Sequence, residues 1–119
     1  MGVDLVLCPD AHFSAEGGMH PWFLAHTRIN TDRHYAFQDA VRALHPQPLP
    51  SYIKFDWYGD EGIRRRTDDA YGSPLTYLEA HRFADIPQAV LDATSPWNRG
   101  CVLLLCTIAP QTPVVLWWH

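Results

Sequence analysis

No stretch of this chain is long and apolar enough to cross a bilayer: the longest apolar run, Cys101 to Cys106, falls far short of the roughly 20 residues a spanning helix needs. The first residues hold neither the basic nor the long apolar region of a signal peptide. A soluble, cytoplasmic protein without a membrane partner is therefore expected. Cysteine is scarce, with three in all (Cys8, Cys101 and Cys106), each inside an apolar run. That pattern points to reduced, buried thiols of an intracellular protein. No internal repeat, low-complexity tract or linker divides the 119 residues, so a single domain over 1–119 is expected. Also missing are a G-x-S-x-G elbow, a P-loop, a dinucleotide fingerprint and any CxxC or HxxxH pair. No motif fixes a reaction, and no cofactor is implied. The formal net charge of −4, with its acids scattered, excludes the basic face of a general nucleic-acid binder. No nucleic-acid partner is expected.

What is present is an ordinary globular balance of 47% hydrophobic and 18% charged residues. Five each of Trp, Tyr and Phe are more aromatics than a small core needs, which places some on a recognition surface. The most telling stretch is Pro113-Val-Val-Leu-Trp-Trp-His119. Its apolar area is worth too much to leave in water, and a short continuous apolar run is what a strand covered on both faces looks like. Its natural partner is Val3 to Cys8, a pairing that would close the fold by joining its ends.

Between these ends, Trp22 to Ile29 reads as a second strand. Asp32 or Thr31 suits an N-cap, followed by the stripe Phe37, Ala40, Val41 and Leu44 of an amphipathic helix over 32–45. His45-Pro46 stops it. Gln47 to Pro50 is a stiff connector. Tyr52 to Tyr58 alternates as a half-buried strand, with Ile53, Phe55 and Trp57 on one face. Gly59 to Gly62 is a turn, and Ile63 to Thr67 returns as an edge strand whose arginines discourage edge-to-edge association. Asp68 to Pro74 is a polar loop. Thr76 and Glu79 have capping-box spacing, which predicts a short helix from Tyr77 to about Phe83; Ser73-Pro74 is an alternative start. A turn or two of helix follows Pro87. Ser95-Pro96 begins a helix over 95–109, apolar nearly all round. The rival reading of 101–108 is a strand forming a hairpin with the C-terminal one.

Two constellations could carry chemistry. Cys8, His12 and His20 fall close together, with His26 beyond, and Cys8-x-x-x-His12 could supply two of four zinc ligands. That spacing matches no known structural zinc site, so a buried thiol and polar loop histidines are the expectation. His119 would approach this loop if the end strands pair. Arg64-Arg65-Arg66-Thr67-Asp68-Asp69-Ala70-Tyr71 sets three guanidiniums beside two carboxylates and a phenol. Arginine forks match oxyanions bidentately, so Arg64, Arg65, Arg66, Asp68, Asp69, Tyr71 and the nearby Tyr58 are candidates for binding a partner's acidic patch or a phosphate. Catalysis, with Asp68 or Asp69 as a general base, is the lesser reading, and the bland one is a solvated edge with locally paired charges.

The opening Met1-Gly2-Val3-Asp4-Leu5-Val6 resembles that of small uncharacterised phage and prophage proteins beginning Met-Gly-Cys-Asp-Ile-His. Arg33-His34-Tyr35-Ala36-Phe37 looks like their Arg-Asn-Tyr-x-Leu-Phe helix start. Asp69 to Glu79 is similar to their Asp-x-His-Ser-x-Ser-Trp-Leu-Thr-x-x-Glu segment, and Val114 to Trp118 to their closing strand. Val3 and Val6 stand where those proteins have Cys and His, and the histidine of the later motif is absent. The resemblance implies a phage-type origin more than an activity.

The expected fold is α+β: one domain, a mixed sheet of about four strands with the N- and C-terminal strands central, and two main helices packed on it. The expected function is a non-enzymatic binding protein that modulates or inhibits a host protein, such as a defence component, through Arg64 to Tyr71 and surplus aromatics such as Tyr52 and Trp22. The alternatives are a metal- or histidine-dependent hydrolase using His12, His20 or His26, and an assembly accessory acting as a homo-oligomer.

Overall fold

Strand β1 (Leu5–Pro9) and the last strand, β8 (Pro113–Trp118), lie side by side and antiparallel, with Leu5 opposite Trp118 and Pro9 opposite Val114. The computed structural model describes residues 2–9, 22–24, 28–51 and 53–119. In chain order the remaining elements are β2 (Trp22–Leu24), β3 (Ile29–Asn30), α1 (Tyr35–Arg42), β4 (Gln47–Pro48), β5 (Lys54–Gly59), β6 (Gly62–Arg66), β7 (Thr76–Glu79), a 3-10 helix (Ala80–Asp85), α2 (Gln88–Ala93) and α3 (Pro96–Thr107). A five-stranded antiparallel sheet runs β3-β1-β8-β7-β4, so the two end strands are interior as expected. A second sheet, β2-β5-β6, holds the parallel pair (β2 with β5) that makes the α+β architecture mixed.

Side chains alternate across a strand, and both faces of the large sheet are covered. On one face Leu5, Leu7, Leu78, Val114 and Leu116 meet Phe37 and Val41 of α1, Phe83 of the 3-10 helix, and Cys101, Val102 and Leu105 of α3. On the other, Val6, Cys8, Val115 and Trp117 meet Ile53, Phe55 and Leu75, which seats the small sheet. The order is helices, large sheet, small sheet. Each fully buried large apolar side chain is worth ~1.5–3 kcal/mol, which is why β1 and β8 read as unbroken apolar runs.

Helix α3 follows the Ser95-Pro96 signal: the Ser95 hydroxyl accepts from the Asn98 N–H at 3.1 Å. The strand reading of 101–108 is thereby excluded. Helix α1 is capped differently from expectation. His34, and neither Asp32 nor Thr31, accepts from the Phe37 N–H through Nδ1 at 3.1 Å. Thr31 is drawn away, its hydroxyl donating to the Leu5 carbonyl at 2.7 Å. Asp32 is drawn away too, its N–H donating to Asn98 Oδ1 at 2.7 Å.

The helix expected over 77–83 is half wrong. Residues 76–79 form β7 instead, because Thr76 to Glu79 pair with Leu116 to Pro113 and Leu78 is buried in the core. A ladder with a central strand outweighs capping-box spacing. Helical turns begin only at Ala80, as a 3-10 helix. The connector 47–50 supplies a two-residue edge strand, β4, ending at Pro48, a residue that suits an edge. Of the strand expected over 22–29, residues 22–24 and 29–30 belong to different sheets, and 25–27 lie outside the described residues.

Ahead of β1, Asp4 is tied to Arg33 by a forked pair, Nε to Oδ1 at 3.0 Å and Nη2 to Oδ2 at 2.8 Å. The guanidinium holds the Asp4 carboxyl below its ordinary value of 3.8. A lowered folded value means the pair's stability is fully present above pH 3.8 and is lost as pH falls through the folded value. Asp4→Asn is accordingly expected to lower the melting temperature at neutral pH, and to leave it unchanged in acid well below 3.8, in thermal melts at both pH values.

Candidate functional site

The β5–β6 hairpin builds a polar hollow. Its register sets Phe55 opposite Arg66, Trp57 opposite Arg64, and Gly59 opposite Gly62, with Asp60-Glu61 as the loop. Gly62 has φ of 92°, in the left-handed region that a side chain would oppose. Alternation then sorts the arginines. Arg64 and Arg66 share the face of Phe55 and Trp57, which looks toward the large sheet, while Arg65 shares the opposite face with Asp56.

A cleft of about 650 Å³ opens on the inner face. Arg28, Trp57, Arg64 and Arg66 line it, with Asp60 and Glu61 in its wall. Trp57, in its lining, belongs to a stack of flat groups. Trp57 lies on Trp117 with centroids 4.4 Å apart and planes at 17°, and the Arg28 guanidinium sits 4.1 Å over the Trp57 ring. Arg66 lies 5.9 Å from the Trp117 ring. Guanidiniums over indoles keep their charge while their flat faces are sheltered, and a guanidinium's N–H edge matches the geometry of an oxyanion. Arg64 reaches Glu61 at 3.5 Å, with both side chains largely exposed, a pair worth little in water. Arg66 has no carboxylate partner among the described residues.

Arg65 is committed elsewhere. Its guanidinium donates through Nε and Nη2 to both oxygens of Asp56, whose side chain is only 10% exposed. This bond raises the Arg65 pKa further. The pair is structural, since removing either partner leaves a charge without its counterpart.

The other expected residues are dispersed. Asp68 forms a bridge with Pro74. Asp69 is a loop tie: its Oδ1 accepts from the N–H groups of Tyr71 at 2.8 Å and Ser73 at 3.1 Å. Tyr71, 57% exposed, lies by a separate hollow with Arg42 and Trp118, where the Arg42 guanidinium stands 4.2 Å over the indole. Tyr58 pairs with Ile63 in the hairpin register, and its side chain is outside those described, as are Tyr52 and the side chain of Trp22. The seven residues therefore do not converge. Arg64 and Arg66 face the cleft, and Arg28 and Trp57, which were not singled out for binding, complete it.

His12, His20 and His26 lie outside the described residues. Cys8 is fully buried in β1, and burial pushes its thiol up to about 12, so it is neither a ready ligand nor a nucleophile. Residues 10–21 lie outside the described residues, and His119 lies away from Cys8. The end strands pair antiparallel, so its N–H bonds the Asp4 carbonyl at 2.9 Å, at the other end of β1 from Cys8. Among the described residues no group of His, Cys, Asp and Glu could hold a metal ion. Of the thiols expected to be buried, Cys106 is exposed, on the solvent side of α3.

A second exposed feature lies on α3. Trp97, Leu103 and Leu104 are 58%, 69% and 49% exposed. Trp97 also donates from Nε1 to the Asn30 carbonyl at 2.6 Å, occupying an acceptor at the β3 edge. No helix is long and apolar enough to cross a membrane among the described residues. Comparison of the chain with protein-family models, with curated proteins and with solved structures finds no match in any of the three.

Proposed function

We propose that this chain is a non-enzymatic binding protein, of the phage or prophage type its resemblance implies, that docks on an acidic surface of a host protein and modulates or inhibits it. One observation carries the reading: Arg28, Arg64 and Arg66 converge on one cleft with Trp57, whose ring is backed by Trp117. Arginine and tryptophan are the residues most enriched among interface anchors, and the stack fixes the guanidiniums before a partner arrives. Both faces of Trp57 are covered, by Trp117 and by Arg28, so the cleft suits carboxylates better than a stacking base. Asp60 and Glu61 in its wall and the net charge of −4 oppose a long polyphosphate. Among the described residues of the cleft, none supplies a paired nucleophile and base.

The test is recovery of a host protein from bacterial lysate by the tagged chain, repeated with the variant carrying Arg64→Glu and Arg66→Glu. The expected result is one protein in near-equal amount with the native chain, and more than tenfold less with the variant. Equal recovery with both would end this reading. A second reading, self-association, is favoured by the uncharged exposed positions Trp97, Leu103 and Leu104. A solution mass above that of one chain, returning to one chain with Leu104→Glu, is its expected signature.

A further inference from the structure

The inner face of the hairpin accounts for Arg64 and Arg66, but not for the outer edge of β6. Strand β6 ends its sheet, and nearly all of it is exposed, including Ile63 at 54%. One residue beyond it, Thr67 gives its carbonyl to the Leu75 N–H at 3.0 Å, a bond that leaves the β5 ladder. Backbone groups point alternately to the two sides of a strand. The N–H and C=O of Ile63 and Arg65 therefore share the outward side of Thr67. Among the described residues, none of these four groups is bonded.

We infer that the partner's contact segment is a short extended strand, acidic at alternate positions, that adds to the outer edge of β6. Main-chain bonds to Ile63 and Arg65 would give it affinity, in the manner of strand addition. Its alternate side chains would fall beside Arg64 and Arg66 on the inner face, where Arg66 still lacks a carboxylate among the described residues. Opposite charges across adjacent strands stabilise the pairing. The side chains in between would fall beside Ile63 and the Arg65–Asp56 pair. A second copy of this chain is the wrong occupant, because two β6 edges would set arginine against arginine. Bonding of Thr67 to Leu75 closes the edge at that end, so the added segment is no longer than β6 itself, five residues. This inference rests on the acidic-partner reading and adds the direction of attack.

The experiment uses the full chain and a seven-residue peptide alternating valine and glutamate. Companion peptides carry lysine for glutamate, or N-methyl groups at the odd or at the even residues. Binding is expected for the glutamate peptide, with at least a tenfold loss for lysine and for one of the two N-methyl sets only. Hydrogen exchange at the Ile63 and Arg65 amides is expected to slow on binding. Ile63→Pro, which removes an outward N–H and leaves the β5 ladder intact, is expected to weaken binding at least tenfold. Equal affinity of the two N-methyl sets, or unchanged exchange at 63 and 65, would overturn the strand addition. If Arg66→Glu still abolishes binding in that case, the acidic-partner reading survives alone. If it does not, or if the glutamate peptide fails to bind, both fall.

Discussion

Trp117→Ala is expected to lower folding stability by about 3–5 kcal/mol, the range for deleting a buried large aromatic. Trp117 is 5% exposed on an interior strand and joins the two sheets: its ring stacks on Trp57 and lies 6.3 Å from that of Phe55. Beside it on this side of the large sheet stand Val6, Cys8 and Val115, all smaller, and the half-buried Tyr77. Loss of the indole opens a cavity between the layers, and stacked rings contribute ~0.5–1.5 kcal/mol beyond their area. Against a total of about 5–15 kcal/mol for a domain, this is a large fraction. Urea unfolding is the measurement, with Trp117→Phe as the milder companion. A loss below about 1 kcal/mol would show that the small sheet is held by something other than this stack. The same variant removes the ring that backs Trp57 in the cleft, so binding of an acidic partner should weaken even in the folded fraction.

Asn98→Ala is expected to cost about 2–4 kcal/mol, from several bonds lost at once. Asn98 is fully buried at the start of α3. Its Oδ1 accepts from the Asp32 N–H at 2.7 Å, and its Nδ2 donates to the Asp32 carbonyl and to Thr94 Oγ1, each at 3.0 Å. One side chain thus reads both backbone groups of a residue in the β3–α1 connection and pins α3 to it. Alanine leaves those groups unsatisfied. Asn98→Asp keeps the acceptor but loses the donor and brings a charge inside, so it should do no better. Denaturant melts decide, and a cost under about 1 kcal/mol would mean that water replaces the amide freely.

The elements most legible in the sequence were those that both layers of packing demand. Val114 to Trp118 and Leu5 to Cys8 are apolar at every position because each face of the large sheet is covered, and Ser95-Pro96 marked α3 because its cap is local. What stayed hidden depends on distant partners. Thr76-x-x-Glu79 has helix spacing, yet the neighbouring β8 recruits it into the sheet. Nothing near His34 says that Thr31 and Asp32 will be occupied by Leu5 and Asn98. The site was half legible for the same reason. The arginine run stood out, and alternation across the Gly59–Gly62 turn separates Arg65 from Arg64 and Arg66. Arg28, however, arrives from another segment, and its seat over Trp57 exists only once the sheets pack.

The antiparallel pairing of the chain's two ends has a mechanical consequence. The Asp4 N–H bonds the His119 carbonyl at 2.6 Å and the His119 N–H bonds the Asp4 carbonyl at 2.9 Å, so residues 4 and 119 lie at the same end of the β1–β8 ladder. A pull applied between them loads the ladder like a zip: the outermost bond carries the force, breaks, and passes it to the next. Strands that leave a ladder from opposite ends share such a load across all their bonds in shear. Although its two central strands are among the best-buried parts of the fold, this protein would open under tension from its middle outward, at low force.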